Sequence, residues 1–182
     1  MHICLCDDNN RPEMAALAAE FGIEYYGLSD NKHAKAGNLN NALYQTHSPL
    51  VVTLDADMIV RSNFLMKTVP YFFIPQMEKG NDDIWRPIPA AEIDPDFKIG
   101  FIQTPQAFYN PDLFQYYLFS EDAVPNEQNY FFQEVNVARN NANAAIYAGS
   151  NTVISREALE EIGYIASDTI TEDFLTGIRI QK

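Results

Sequence analysis

Residues 50–57, Leu-Val-Val-Thr-Leu-Asp-Ala-Asp, restrict this chain more than any other stretch. Positions 50–54 form a short apolar run rich in β-branched side chains, the pattern of a buried strand. Side chains alternate along a strand, so Asp55 and Asp57 are expected to leave one face. At the C-terminal tip of a strand in an α/β sheet, that places two carboxylates at the crevice where such folds bind ligands. Two anions so close repel unless something positive lies between them. A divalent cation carried by a diphosphate meets that need, and Mg2+ or Mn2+ suits one or two carboxylates plus phosphate oxygens. The plainer alternative is a loop whose aspartates cap the next helix, and Asp-x-Asp alone does not separate the two.

The chain has 182 residues, 47% of them hydrophobic, enough for one domain with a real core. Its net charge of −13 argues against nucleic acid as a partner and against electrostatic docking on anionic lipid. A few local basic residues and a metal still suffice for a nucleotide diphosphate. Cys4 and Cys6 share one apparent strand, where i and i+2 are poorly placed for a disulfide, so both read as reduced core thiols of a cytosolic compartment. No apolar run reaches the roughly 18–20 residues of a membrane span, and no stretch reads as a signal peptide.

Taken in order, the chain opens on a strand over residues 1–6 that ends in Asp7 and Asp8, which predicts a preceding strand outside it. A helix is expected over 10–21, with Asn10 as its cap and Gly22 as its stop. A strand over 23–26 completes a parallel crossover unit. Segment 31–38 is basic and small in an acidic chain, and it runs into a helix over 39–44. Lys32, His33 and Lys35 at a helix start, with Gly37 allowing close approach, suit a diphosphate; a solvated loop is the equal alternative. A helix over 62–73 is expected to be disturbed at Pro70.

Residues 76–98 contain Pro87, Pro89, Pro95 and five acidic residues from Asp82 to Asp96, and they read as an irregular surface insertion. A strand over 99–103 leads into an aromatic loop around Phe108 and Tyr109, whose faces suit sugar rings but equally suit ordinary core. Helices are expected over 111–120 and 127–143, a strand over 145–150 extended by 153–155, and short helices over 156–162 and 174–180. Thr169 and Glu172 have capping-box spacing. Thr-Glu-Asp at 171–173 read by itself is a helix cap.

The ordered set is far more specific than its parts. Asp7-Asp8, His33-Ala34-Lys35-Ala36-Gly37-Asn38-Leu39-Asn40-Asn41, Asp55-Ala56-Asp57, Gln103-Thr104-Pro105, Phe108-Tyr109-Asn110-Pro111-Asp112, Gly149-Ser150-Asn151 and Thr171-Glu172-Asp173 follow one another along nearly the whole chain. This series resembles the catalytic domain of bacterial cellulose synthase-like glycosyltransferases of family two.

The resemblance implies one α/β catalytic domain over 1–182, with the GT-A fold: a Rossmann-like, mostly parallel sheet with flanking helices, truncated at both ends. It implies a UDP-sugar donor, a carbohydrate acceptor and a Mg2+ or Mn2+ cofactor. By position, Asp7 and Asp8 match the acidic pair near the nucleoside. Lys35 matches the lysine beside the donor diphosphate, and Asp55 and Asp57 match the donor and metal carboxylates, Asp57 the direct ligand. Asp173 matches the general base, while Phe108, Tyr109, Gly149, Ser150 and Glu172 match the acceptor side. The implied reaction is a single displacement that forms a β-glycosidic bond. The family's Gln-x-x-Arg-Trp motif is absent from the chain, which predicts a soluble fragment of a membrane enzyme working at the cytoplasmic face. A piece that only holds nucleotide or serves as a structural half-domain is the alternative. A magnesium phosphohydrolase using Asp7 or Asp55 as nucleophile is a third reading.

Overall fold

Strand β1 (Cys4–Asp7), helix α1 (Pro12–Glu20) and strand β2 (Glu24–Gly27) build the expected crossover unit, with β1 and β2 paired in parallel from Cys4↔Glu24 to Asp7↔Gly27. The structure is a computed structural model that describes residues 1–30, 32–121 and 123–182. Asn31, the first residue of the basic segment, therefore lies outside the described residues. Helix α1 starts at Pro12, whose missing N–H costs nothing in a first turn. Asn10 is not its cap: it sits at φ +49, and Arg11 takes the cap position without a side-chain bond. The chain leaves α1 through Gly22 at φ +64, as the sequence predicts.

Helix α2 (Ala34–Gln45) begins five residues earlier than its apolar pattern suggests, so Lys35 lies in its first turn rather than in a loop. Gly37 does allow a close approach, but of the chain itself: a Cβ there would meet the Lys32 carbonyl oxygen at 1.9 Å. Strand β3 (Leu50–Thr53) follows, then α3 (Phe64–Thr68), which tightens into a 3₁₀ turn (Val69–Phe72) at Pro70, the predicted disturbance. Residues 76–98 contain two short paired strands, β4 (Met77–Lys79) and β5 (Trp85–Pro87).

Strand β6 (Phe101–Gln103) precedes helices α4 (Leu113–Tyr117), α5 (Glu127–Tyr130) and α6 (Asn136–Asn140). Asp112 and Gln115 close a reciprocal capping box on α4. The single helix expected over 127–143 is interrupted by a π-helical turn, Phe131–Val135. Strand β7 (Thr152–Ser155), α7 (Arg156–Glu161) and α8 (Glu172–Gln181) complete the chain.

β7 lies between β3 and β6 and runs antiparallel to both, so β3 and β6 point the same way on either side of it. The α/β class with flanking helices is as read from the sequence; of the sheet expected to be mostly parallel, β1 and β2 pair in parallel, whereas β7 runs antiparallel to both of its neighbours. Val153 and Ile154 in that central strand are fully buried. Ile154 joins Ala36, Leu43, Tyr147, Leu159 and Ile165 in a core between α2, the sheet, α7 and α8. Each such aliphatic side chain contributes about 1.5–3 kcal/mol. Helix α8 docks closely because Gly177 has no Cβ to strike Tyr147, which would lie at 3.0 Å. Buried Arg156 ties α7 to the end of α2, donating to the Ser48 and Leu43 carbonyls (2.6 and 3.0 Å) and to Thr46 Oγ1 (3.0 Å). A cation at that place also faces the negative end of the α2 dipole.

The strand expected over 145–150 does not form. The apolar Ala-Ile-Tyr-Ala run packs Tyr147 into the core, but the backbone turns at Gly149 (φ +76) and Asn151 (φ +54) before β7 begins.

Candidate functional site

The ends of α2, β3 and α8 meet at the Gly149-Ser150 turn. Lys35, one residue into α2, sends Nζ to Asp55 Oδ1 (2.5 Å) and to the Gly149 carbonyl (3.1 Å). Ser150 is fully buried, and its Oγ accepts from the Asp55 backbone N–H (2.9 Å). Asp173, in the first turn of α8, is at the same place: a Cβ built on Gly149 would lie 3.0 Å from Asp173 Oδ2 and 3.4 Å from Lys35 Nζ. Folding thus gathers residues 35, 55, 149, 150 and 173 around one turn. Lys35 and Asp55 are both part-exposed, so their ion pair adds about 1 kcal/mol or less to stability. Their proximity matters for chemistry instead: a cation and an anion share a surface beside a helix N-terminus whose dipole favours another anion.

Asp57 does not leave the same face of a strand as Asp55. β3 stops at Thr53, and the Met58 N–H donates to the Asp55 carbonyl (3.1 Å), closing a turn around an exposed Asp57. Period-two alternation lapses where the backbone turns. Among the described residues no group of three or more His, Cys, Asp and Glu side chains is placed to hold a metal. The donor set still fits Mg2+ or Mn2+, which take one or two protein carboxylates and complete their shell with phosphate and water oxygens. Asp55 and Asp57 are hard oxygen donors of that kind, and Lys35 is the group a cation would displace from Asp55.

The turn is clamped from below by residues that the sequence reading gave no role. Gln103, at the end of β6, accepts from the Ala148 N–H (2.8 Å) and Thr152 Oγ1 (2.7 Å), and it donates to the Ser150 carbonyl (2.9 Å). Thr104 binds the Asn151 carbonyl through both its N–H (3.1 Å) and Oγ1 (2.7 Å). The Gln-Thr-Pro signal was present, but nothing in it named the partner 45 to 49 residues away. Beneath the carboxylates, buried Tyr147 donates to Thr53 Oγ1 (3.2 Å). Burial, with the charges of Asp173, Asp55 and Glu172 nearby, pushes its hydroxyl pKa well above the ordinary value. Glu172 is half-buried beside Asp173, and its carbonyl accepts from Thr176 Oγ1 (2.6 Å). Thr171, not Thr169, precedes α8, and it makes no side-chain cap.

At the end of β1, Asp7 is buried and saturated. Arg11 donates to it from its backbone N–H (2.6 Å), Nε (2.9 Å) and Nη2 (2.6 Å), and the Tyr25 hydroxyl donates at 2.8 Å. The Arg11 hydrogen bonds hold the Asp7 carboxyl well below the usual carboxylate range. This engagement speaks against Asp7 as a phosphoryl nucleophile. It leaves half-buried Asp8 in the following turn as the freer of the two.

A depressed native pKa adds stability that is complete above the unfolded carboxylate value, about 3.9, and that drains as pH falls toward the native one. The stability gap between wild type and Asp7→Asn in urea is therefore expected to be constant from pH 7 to about pH 5 and to narrow steadily below about pH 4. A gap that stays constant into acid would show that Asp7 carries no such linkage.

Phe108 and Tyr109 stand on the loop after β6, 63% and 93% exposed, and among the described residues no hydrogen bond ties either ring to the cluster. Their exposure leaves the faces free for a ligand. Cys4 and Cys6 are free and half-buried, and burial raises both thiols, Cys6 to about 11.

Residues 1–163 match the family model described as Glycosyl transferase family 2. The chain belongs to glycosyl transferase family 2. This family 2 chain is 34% identical over 180 residues to the cellulose synthase catalytic subunit (UDP-forming) of Xanthomonas axonopodis pv. citri, covering 99% of the chain and 22% of that protein. It is 34% identical to cellulose synthase 1 of Komagataeibacter xylinus over 182 residues, all of the chain and 10% of that protein. The corresponding subunit of Pseudomonas fluorescens is 32% identical over the whole chain, which covers 22% of it. The family 2 chain thus spans between a tenth and about a fifth of the length of these relatives. Its α/β architecture is that of the GT-A glycosyltransferases. Among the described residues, no helix is long and apolar enough to cross a membrane.

Proposed function

We propose that this chain forms the donor site of an inverting hexosyltransferase that uses a UDP-sugar and builds a β-linked polysaccharide; this reading is supported by relatives named as UDP-forming cellulose synthase subunits. The observation that carries the reading is the convergence of Lys35, Asp55 and Asp173 on the Gly149-Ser150 turn. Lys35 and the N-terminus of α2 offer positive potential to a diphosphate. Asp57 and Asp55 would hold Mg2+ or Mn2+, which when bound neutralises charge on the departing UDP. Asp173 accepts the proton of the acceptor hydroxyl, whose oxygen bonds to the anomeric carbon as the bond to UDP breaks. One base and no protein nucleophile gives one displacement and inversion. Asp8 faces the nucleoside. The exposed rings of Phe108 and Tyr109, with Ser150 and Glu172, border the acceptor. The whole protein is proposed to act at the cytoplasmic face of a membrane, with its spans outside this stretch.

The reading is tested by titrating UDP into the protein with and without Mn2+. Mn2+ is expected to tighten binding on the order of tenfold, about 1.4 kcal/mol, and Asp57→Ala to abolish that gain. Metal-dependent binding that survives the substitution would overturn the assignment. Nucleotide binding with no turnover of any UDP-hexose would favour the second reading, a domain that holds nucleotide without transfer.

A further inference from the structure

We infer that Asn38 reads the nucleoside of the donor, its carboxamide oxygen accepting a hydrogen bond from an N–H of the base or an O–H of the ribose. The inference rests on the donor site proposed above. Asn38 is only 8% exposed, and its Oδ1 is buried with no hydrogen-bond partner. It is the one side-chain atom in that state among the described residues. Buried polar atoms are almost always paired, so an orphan acceptor marks a place where a partner is missing.

The neighbouring asparagines sharpen the contrast. Asn40 binds the Ile165 backbone with both ends of its amide, at 2.9 and 3.0 Å. Asn41 donates to the Gly27 carbonyl at 3.4 Å. Three amides thus stand in four residues of α2; two are absorbed by the fold, and Asn38 is left with an open acceptor.

Its position says what it faces. Residues three apart lie along one side of a helix, so Lys35, Asn38 and Asn41 form a row. Asn41 is level with the end of β2, and Lys35 reaches the Asp55–Gly149 cluster. Asn38 lies between, about 4.5 Å along the axis from each. That interval separates the ends of β1 and β2, with Asp7 and Asp8, from the lysine assigned to the diphosphate. In a nucleotide the ribose and base adjoin the phosphates on that side. A diphosphate offers acceptors only, and Asn38 lies on the β1–β2 side of Lys35, away from the Asp173 side given to the transferred hexose, so the N–H and O–H groups complementary to a lone oxygen are those of the nucleoside.

The test compares wild type with Asn38→Leu, of similar volume and without polar atoms. UDP, 2′-deoxy-UDP, 3′-deoxy-UDP and the diphosphate of 3-methyluridine are titrated into each, and melting is followed without ligand. Asn38→Leu is expected to weaken UDP about tenfold while raising the ligand-free Tm by about 2–4 °C, because the orphaned atom is gone. The analogue to which both proteins bind alike identifies the group that Asn38 contacts and supports the inference. Equal UDP affinity in the two proteins would overturn it, leaving the oxygen an ordered water only. A loss of affinity accompanied by a lower ligand-free Tm would also overturn it, since Asn38 would then be part of the scaffold. Weakening every analogue as much as UDP would overturn it too. Failure of the wild type to bind UDP at all would instead sink the donor site itself.

Discussion

Asp173→Asn is expected to lower UDP release from UDP-glucose by about 10²–10⁴-fold while leaving UDP affinity within about twofold. Asp173 lies in the first turn of α8, half-buried, with Oδ1 accepting from the Phe174 N–H at 2.7 Å. That bond fixes the carboxylate and leaves Oδ2 beside Gly149, across the turn from Lys35. Asparagine keeps the volume and an acceptor for Phe174, so the fold and the donor-facing groups persist. It cannot take a proton, so under the proposed mechanism the acceptor hydroxyl would have to attack without a base. Turnover is to be measured as UDP formation with and without an oligosaccharide acceptor, beside a UDP titration of the same sample. Turnover within threefold of wild type would remove Asp173 from the mechanism. Loss of UDP affinity in parallel would recast it as a donor contact.

Some of this arrangement was legible before folding, and the reasons divide cleanly. β3 was readable as a strand from its β-branched run, but the burial expected of it was not met: it lies at the edge of its sheet, Val52 is 36% exposed and only Thr53 is buried. α1 was readable because an apolar series runs into Gly22, though Asn10 does not cap it and, of that series, Ala18 is buried while Leu17 and Phe21 are 40% and 70% exposed. The clustering of Lys35 with Asp55 and Asp173 was not, since local pattern carries no information about partners 20 and 138 residues away; it came from the ordered resemblance alone. The direction of β7 was hidden for a related reason, because an apolar strand buried in a sheet looks the same in either orientation. Alternation misplaced Asp57, because the rule was extended past Thr53 into a turn that one hydrogen bond closes. Residues 145–150 misled for the converse reason: a core-facing Tyr147 in an apolar run imitates a strand while two left-handed residues break it. Gln103 looked like an ordinary polar strand end, yet it binds three parts of the 148–152 segment at once.

Gly149 makes the strongest demand on a single position, and a matched control exists within the chain. Its φ of +76° lies in the left-handed region, where a side chain costs roughly 1–2 kcal/mol. Gly163 has nearly the same φ, +81°, but a Cβ there would meet nothing within 4 Å. Gly163→Ala therefore reports the backbone penalty alone, a loss of about 2–8 °C in Tm for a chain of this size. Gly149→Ala carries that penalty and also sets a methyl 3.0 Å from Asp173 Oδ2 and 3.4 Å from Lys35 Nζ. At 3.0 Å the carboxylate has to give by a few tenths of an ångström, and since about 1 Å of misplacement at a reacting group costs about 10²-fold in rate, a loss of about tenfold is expected. The expected result is that both variants melt lower by similar amounts. Only Gly149→Ala should lose turnover, by about tenfold, and it should weaken UDP through Lys35. The pair separates a strained turn from a crowded site, because the first term is common to both. If Gly149→Ala and Gly163→Ala matched wild-type turnover equally well, the close approach of Asp173 to this turn would have no part in catalysis.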